Sequence, residues 1–460
     1  MNNQIFNIVR NQRIFYNTNK TRNIEFRINQ LIKLKKLLKK YEREILISIS
    51  KDTGKVIEES YLLEVLPIYL SINNFIKMLK KYKYIQQVKT PFYLLNIESY
   101  VMNEPYGVIG IISASNYPFL LSVEPLLGAI VAGNTAIIKI SEKTKESYKI
   151  LNKIFSENFS EKYIKVVIGD SSLVHNIIDC KVDKVFFTGS SFAAKSVLET
   201  ASKNMIPVTI EAGGKNPVII DETADLILAA KKIVWAKFSN NGRTCIAPDY
   251  ILVKNTVKKE FIKKLIYIIE KFYTVNIKNS KYYGRIVNNF EFERLVDIIE
   301  KDKKYIIYGG EYDKNVKYIQ PTILLGSTFE EMECMKDEIF GPILPIFTYI
   351  NEDEVSYNIK KLDKPLMLYI FSKNLKNINK LSNTISSGNL AINETLLYMS
   401  NFNLPFGGVG LSGMGSYHGK YSFNEFSRKR GIIYRKHREL VGFYPPYTLL
   451  KKIYKIIRLL

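Results

Sequence analysis

Four short runs in this 460-residue chain carry residue types that packing alone does not call for. Cys245 lies in Asn240-Asn241-Gly242-Arg243-Thr244-Cys245-Ile246-Ala247-Pro248, a polar loop that follows the apolar stretch 226–238. A lone cysteine is more often a buried apolar residue than a nucleophile. In a Gly-containing polar loop it can be exposed, and a nearby positive charge favours the thiolate. Arg243 either supplies that charge or points away into a salt bridge, and the second reading is favoured slightly. A thiolate that forms an acyl intermediate needs an acid–base partner to complete the cycle, and Glu211, just before Gly213-Gly214, can supply one. Asn116, in Ser113-Ala114-Ser115-Asn116-Tyr117-Pro118, would by itself be a turn asparagine. Gly189-Ser190 would by itself be a strand-to-helix turn with a serine cap. Gly213-Gly214-Lys215 is not a phosphate loop, because Thr209 stands where that motif needs glycine and Asn216 where it needs Ser or Thr.

Positioning these runs requires a particular set of elements. Residues 24–50 and 56–82 read as helices, with Leu31, Leu34, Leu37 and Leu38 recurring at three and four. From Val108 the pattern becomes short β-branched runs alternating with helical stretches: 108–113, 136–140, 164–168, 184–188 and 207–211. Strands separated by helices imply right-handed crossovers and a parallel sheet. Ligands of such sheets bind beyond the carboxyl ends of the strands. Asn116, the pair Lys139 and Glu142, Gly189-Ser190 and Glu211 all fall at that one edge. A second alternating block runs from about 217 to 395, with a strand over 249–254, a helix over 257–272 and a strand-like run over 342–349. The segment Gly407–Gly419 is too rich in glycine for a helix interior. The fold class is therefore α/β, with a parallel sheet followed by a second α/β block.

Composition bounds the rest. Hydrophobic residues are 46% and charged residues 24%, which fits a globular chain with more than one core. The three cysteines, Cys180, Cys245 and Cys334, form no CxxC pair, and with the three histidines they make no metal-ligand cluster. No metal and no disulfide framework are expected, and a reducing, cytoplasmic compartment fits. The polar opening, residues 1–20, lacks a secretory core run, and no stretch reads as the roughly 20 apolar residues that span a bilayer. A formal charge of +23 admits nucleic acid, an anionic membrane or compositional drift. The lysines are spread over the whole length, including Lys33, Lys35, Lys36, Lys39 and Lys40 on one helix, so the reading is drift with no nucleic-acid surface.

The runs 207–215 (ProValThrIleGluAlaGlyGlyLys), 241–250 (AsnGlyArgThrCysIleAlaProAspTyr), 338–342 (GluIlePheGlyPro) and 405–420 resemble the aldehyde dehydrogenase superfamily. The last run is similar to the class 3 or fatty aldehyde branch, and the likeness extends from about Arg22 to Pro446. What it implies is specific. Cys245 attacks the aldehyde carbon, with Asn116 and the Cys245 amide holding the oxyanion. Glu211 activates the water that cleaves the thioester. The cofactor is NAD or NADP: Lys139 and Glu142 grip the adenosine ribose, Gly189 and Ser190 form the pyrophosphate turn, and Glu338 holds the nicotinamide ribose beside Phe340. His418 lies near the mouth of the site. The implied domains are 1–83 with 104–210, a Rossmann-like domain for cofactor binding, and 211–395 for catalysis. Residues 84–103 with 396–430 form a bridging element that makes homodimers, and 431–460 form a tail. Medium to long aliphatic aldehydes, or aromatic ones, are the implied substrates. Ile140, Ser115, Ala194 and Arg243 depart from the family pattern, and none of these departures removes a catalytic group.

Two rival readings share Cys245. A relative that passes the acyl group to coenzyme A, or reduces acyl phosphates, would typically lack a base at Glu211. A cofactor-free thiol hydrolase would leave Lys139, Glu142 and Glu338 unexplained. The tail from Thr448 to Leu460 places Leu450, Ile453, Tyr454, Ile457 and Leu460 on one side at helical spacing, with Lys451, Lys452, Lys455 and Arg458 mostly on the other. It can lie in an anionic membrane interface or pack on the body of the enzyme.

Overall fold

The computed structural model describes residues 2–435 except Lys83, Tyr93 and Leu95, together with Pro445 and Arg458. The first sheet is built from the β-branched runs read in the sequence. Its order is Gly413–Met414, Val208–Ala212, Lys184–Gly189, Val108–Ile112, Thr135–Ser141, Ile164–Gly169. All pairings are parallel except the antiparallel edge, where Gly413 faces Glu211. Val108–Ile112 and Thr135–Ser141 are buried on both faces, which is why they read as continuous apolar runs rather than alternating ones.

The second sheet has seven strands in the order Ile306–Tyr308, Thr322–Leu325, Ile343–Tyr349, Tyr250–Lys254, Pro217–Ile220, Met367–Phe371, Asn389–Ile392. It is parallel apart from its first strand. A third, antiparallel sheet joins Ile85–Val88, Ile97–Pro105 and Ser427–Arg435. Its last strand runs through Arg435, past the position where the sequence reading began the tail. The amphipathic segment read from Thr448 to Leu460 lies outside the described residues except for Arg458.

The helical opening differs from the reading in three places. Asn2–Asn17 is a helix, although its polar composition did not suggest one; Ile5, Ile8 and Val9 pack it onto the first sheet beside Val108 and Ile137. Gln12 Nε2 from the same helix donates to the Ala136 carbonyl at 2.8 Å. The stretch 24–50 is two helices, Ile24–Lys40 and Glu42–Thr53, meeting at Tyr41, and Gly54 ends the second with φ 71°.

The third difference concerns 57–81. This is one continuous 25-residue helix, long and apolar enough by composition to cross a bilayer, contrary to the expectation that no such stretch exists. Val65, Ile68, Ile72, Phe75 and Leu79 are buried in the main core, and the helix packs against Ile24–Lys40 and Leu120–Ala132, so it serves here as a core helix. Within it, Tyr61–Val65 widen into a π turn, where the Leu66 amide reaches back to the Tyr61 carbonyl. Such turns insert a residue and re-aim the side chains that follow.

Candidate active site

The cysteine loop begins where the helix Leu226–Phe238 ends. Asn240, Asn241 and Gly242 then turn in succession through the left-handed region, with φ of 50°, 53° and 76°. Asparagine tolerates that region better than most side chains. At Gly242 no side chain fits at all, because a Cβ would run into the Gly341 carbonyl oxygen of the 338–342 run. From Ser239 to Tyr250 every residue is buried except Cys245, which is half-buried. The loop therefore presents one side chain, the thiol. Asn216 Nδ2 holds it from beneath, donating to the carbonyls of Cys245 at 2.8 Å and Ala247 at 3.0 Å. The other end of that amide, Oδ1, accepts from the Met367 amide at 2.8 Å.

Burial pushes the Cys245 thiol up, and the carboxyls of Glu211 and Glu338 add to the effect; the backbone amides of Cys245 and Ile246 oppose it. Of the two readings of Arg243, the structure shows the one in which it points away, although into carbonyls and an amide oxygen rather than a salt bridge. Its guanidinium turns away into a cage of oxygens: Thr53 O, Asn240 O at 3.2 Å, Asn240 Oδ1 at 3.1 Å and Arg285 O at 3.3 Å. Burial pulls it down to about 10. Its work is to tie the loop to the carbonyls of Thr53 and Arg285. Arg243→Gln should therefore leave the pH profile of iodoacetamide labelling at Cys245 unchanged. It should lower stability in thermal denaturation by roughly 1–3 kcal/mol, through carbonyls left without a donor. A labelling profile displaced to higher pH would restore the electrostatic role.

Asn116 lies against the same loop. Its Nδ2 donates to the Arg243 carbonyl at 3.1 Å, which leaves one amide hydrogen available. Its own carbonyl accepts from Lys55 Nζ at 3.0 Å and from Asn240 Nδ2 at 2.9 Å.

Glu211 sits on the strand Val208–Ala212, aligned with Thr188 on one side and Gly413 on the other. Both carboxyl oxygens are buried without a hydrogen-bond partner among the described residues. Burial pushes this carboxyl well above the usual range, and Glu425 adds to the shift. Glu425 is itself satisfied, by Lys184 at 2.8 Å, Thr209 at 2.6 Å and the Ser416 amide at 3.3 Å.

Glu338 rests directly against Gly213, where any Cβ would strike its carboxyl oxygens. Burial raises it to about 8, aided by Asp249 and opposed by the Gly214 amide, Lys215 and Lys237. Lys215 is an anchor for this segment: it donates to Asp249 at 2.5 Å, to the Asp337 carbonyl at 2.8 Å and to the Cys334 carbonyl at 2.9 Å. Asp249 in turn accepts from the Ile339 amide at 3.0 Å. Phe340 follows in the left-handed region, with φ 45°. An uncommon backbone geometry for an aromatic residue persists only where its surroundings enforce it.

At the carboxyl end of the neighbouring strands, Lys139 is buried with its ammonium 3.6 Å from the half-exposed Glu142 carboxylate. An ammonium beside a carboxylate is a donor–acceptor pair suited to the vicinal hydroxyls of a ribose. Gly189 ends its strand, and Ser190 Oγ caps the helix Ser191–Ser202 by accepting from the Ala193 amide at 3.2 Å. Such a helix start suits a pyrophosphate. His418 is buried, stacked on Phe402 at 5.0 Å, and drawn down to about 4 by burial, so it is neutral.

The structure thus gathers Cys245, Asn116, Glu211, Glu338 and Phe340 around one loop. Lys139, Glu142, Gly189 and Ser190 lie along the strand ends of the first sheet. Sequence reasoning missed the residues beneath them: Asn216, Lys55, Glu59 and Glu64. One signal was available, a glutamate inside the apolar run Leu62-Leu63-Glu64-Val65-Leu66, since a charge at a core position must be paired.

The comparisons agree with this geometry. The sequence profile of the aldehyde dehydrogenase family matches residues 4–432. The chain is 45% identical to the 4,4'-diaponeurosporen-aldehyde dehydrogenase of Staphylococcus aureus (strain NCTC 8325 / PS 47), over 94% of each chain. It is 39% identical to aldehyde dehydrogenase family 3 member A2 of Mus musculus, over 91% of this chain and 86% of the relative. The substrate-bound structure of Staphylococcus aureus AldH superposes with a TM-score of 0.96 at 43% identity, covering 100% of this chain and 99% of that one. With matching motifs, matching fold and matching relatives over nearly its whole length, the chain belongs to the aldehyde dehydrogenase family.

Proposed function

We propose that this chain oxidises medium- and long-chain aliphatic, or aromatic, aldehydes to carboxylic acids with NAD or NADP through a thioester on Cys245. The observation that carries the reading is the nearness of Cys245, the loop's one half-buried residue, to the Glu211 carboxyl, which is buried with no hydrogen-bond partner among the described residues.

Cys245 first gives up its thiol proton to solvent; Sγ then adds to the aldehyde carbon, and the oxygen takes up the displaced electron pair. Asn116 Nδ2, with its spare hydrogen, and the Cys245 amide hold that oxyanion, the kind of preorganised donor set that stabilises acyl transfer most. When bound, NAD or NADP supplies the acceptor for the hydride that leaves the thiohemiacetal carbon. Lys139 and Glu142, the Gly189-Ser190 turn and Glu338 with Phe340 are the residues that would hold it. Water then adds to the thioester as Glu211 takes its proton; the C–S bond breaks, the acid departs and the cysteine is restored. The unpartnered Glu211 disfavours acyl transfer to coenzyme A. A histidine-assisted hydrolase is disfavoured because burial makes His418 a weak proton acceptor, and because Lys139, Glu142 and Glu338 would have no role in it. Appearance of NADH on mixing the protein with NAD and a fatty aldehyde tests the reading, and its absence with every aldehyde and either cofactor overturns it.

The same reading has a cytoplasmic homodimer. The third sheet supports it, since Ser427–Arg435 is an edge strand with Ile433 and Tyr434 exposed on it. Edge strands with exposed apolar side chains are ordinarily covered. Light scattering on the purified protein should give twice the chain mass.

The relatives named above act on a diaponeurosporen-aldehyde or belong to family 3, which supports a long apolar substrate. Deleting 447–460 should weaken activity on long aldehydes more than on short ones, and should lower binding to anionic vesicles. Each basic residue near such a surface contributes roughly 1 kcal/mol. A chain-length series beside co-sedimentation at two salt concentrations reads both effects. Equal loss at all lengths, with no vesicle binding by the intact chain, makes the tail a packing helix.

A further inference from the structure

Beneath Asn116 lies an ion pair that the reaction scheme above does not use. Lys55, just after the helix-ending Gly54, and Glu64, in the π turn, form a salt bridge with both side chains completely buried. A buried pair of this kind is weak evidence for stability, because desolvation opposes its attraction. What it touches is informative. Lys55 Nζ donates to Glu64 Oε1 and, at 3.0 Å, to the Asn116 carbonyl, and it stands 3.8 Å from the centre of the Tyr117 ring. Glu64 Oε2 accepts from the Phe119 amide at 2.9 Å and the Leu120 amide at 3.1 Å. The two charges therefore grip residues 116–120 at both ends of the Asn116-Tyr117-Pro118 turn.

The grip continues to the cysteine loop. The Asn116 carbonyl also accepts from Asn240 Nδ2, which bridges to the Arg243 carbonyl at 3.0 Å. Asn240 is held in its left-handed turn by Glu59 Oε1, which accepts from its amide at 2.5 Å. With both lone pairs of the Asn116 carbonyl occupied, the 116–117 peptide plane has no freedom to rotate. That plane fixes the backbone from which the Asn116 side chain leaves, and the Nδ2 bond to the Arg243 carbonyl aligns the amide beside Cys245.

We propose that the buried Lys55–Glu64 pair is a positioning device for Asn116, fixing the amide that holds the oxyanion formed at Cys245. The proposal rests on the reading of Asn116 given above. Lys55 and Glu64 touch no substrate; they act through Asn116, and the π turn is what brings Glu64 under the turn.

The test is a cycle read on the pre-steady-state burst of NADH, which reports steps up to hydride transfer. Lys55→Met with Glu64→Gln removes both charges together, so that no unpaired buried charge remains and a Gln oxygen can still receive the two amides. Asn116→Ala should slow the burst by ~10²- to 10³-fold, the usual loss of one oxyanion donor. The pair variant should slow it roughly 10- to 100-fold through misplacement of that donor. In the Asn116→Ala background the pair variant should add no more than about a twofold loss, since sites that act as one unit are not additive. NAD binding and the iodoacetamide labelling rate of Cys245 should stay near normal, which general unfolding would not allow.

A full multiplicative loss in the Asn116→Ala background, or an unchanged burst in the pair variant, overturns the proposal. An unchanged burst in Asn116→Ala overturns the oxyanion reading itself and, with it, the positioning role. If the pair variant does not fold, Lys55→Arg in the same two backgrounds gives the same comparison with charge retained.

Discussion

Cys245→Ala should abolish aldehyde oxidation while leaving NAD binding near normal. The thiol is the one side chain presented by an otherwise buried loop, and the carbonyls at its base are held by Asn216, not by any group placed for the cofactor. Alanine fits the same backbone, so the loop should keep its path. Turnover should fall by on the order of 10⁴-fold or more, because no neighbouring group can replace a covalent nucleophile. Steady-state NADH formation measures the first effect and calorimetric titration with NAD the second. Retention of more than about one hundredth of the turnover is incompatible with a covalent route that accelerates the reaction on this scale.

Glu211→Gln should separate the two halves of the cycle. Hydride transfer needs the thiol and the oxyanion donors, whereas hydrolysis needs a base for water. The expected trace is a burst of NADH near one per active site, followed by turnover slowed ~10²- to 10⁴-fold. Loss of the burst together with the steady state would move Glu211 to the first step or to a structural role.

The pH dependence follows from the same environment. Burial, with Glu425 nearby, holds the Glu211 carboxyl well above 4.5, and a base acts only when deprotonated. Deacylation by the native enzyme should therefore keep rising with pH beyond the range where an exposed glutamate is fully ionised. In Glu211→Gln that rise should disappear. The sign for stability is the opposite: a carboxyl with its folded value raised favours the protonated form, so Glu211 costs stability as pH rises above the usual carboxylate range.

Much of the first sheet was legible because its signal is local. The five β-branched runs beginning near 108, 136, 164, 184 and 207 are all strands, and four of them, all but the one at 164, carry a candidate site residue at or beyond the end. The helix over 226–238 starts and stops where the sequence places it, with Asp225 accepting from the Ile227 and Leu228 amides at its start. Less legible was the opening helix Asn2–Asn17, whose apolar face is only a few residues wide and gains its stability from the sheet it covers. The choice between the two readings of Arg243 was illegible for a related reason. Proximity in sequence says that a charge is two residues from a thiol, but not which way its side chain leaves the loop.

The sequence by itself pointed to the α/β class and to the edge of the first sheet, and its family resemblance singled out Cys245, Asn116 and Glu211 as candidates. These depend on periodicity, turn chemistry and motifs within a few residues of each other. Only the tertiary structure decided how those groups are held and charged. The burial that raises Glu211 and Cys245, and the carbonyl cage that turns Arg243 away, arise between segments far apart in the chain. So do the Lys55–Glu64 grip on Asn116 and the Lys215–Asp249 anchor of the Glu338 segment. Desolvation and hydrogen-bond partnership are properties of what surrounds a group in space, and a buried polar atom must find its partner wherever the fold brings one.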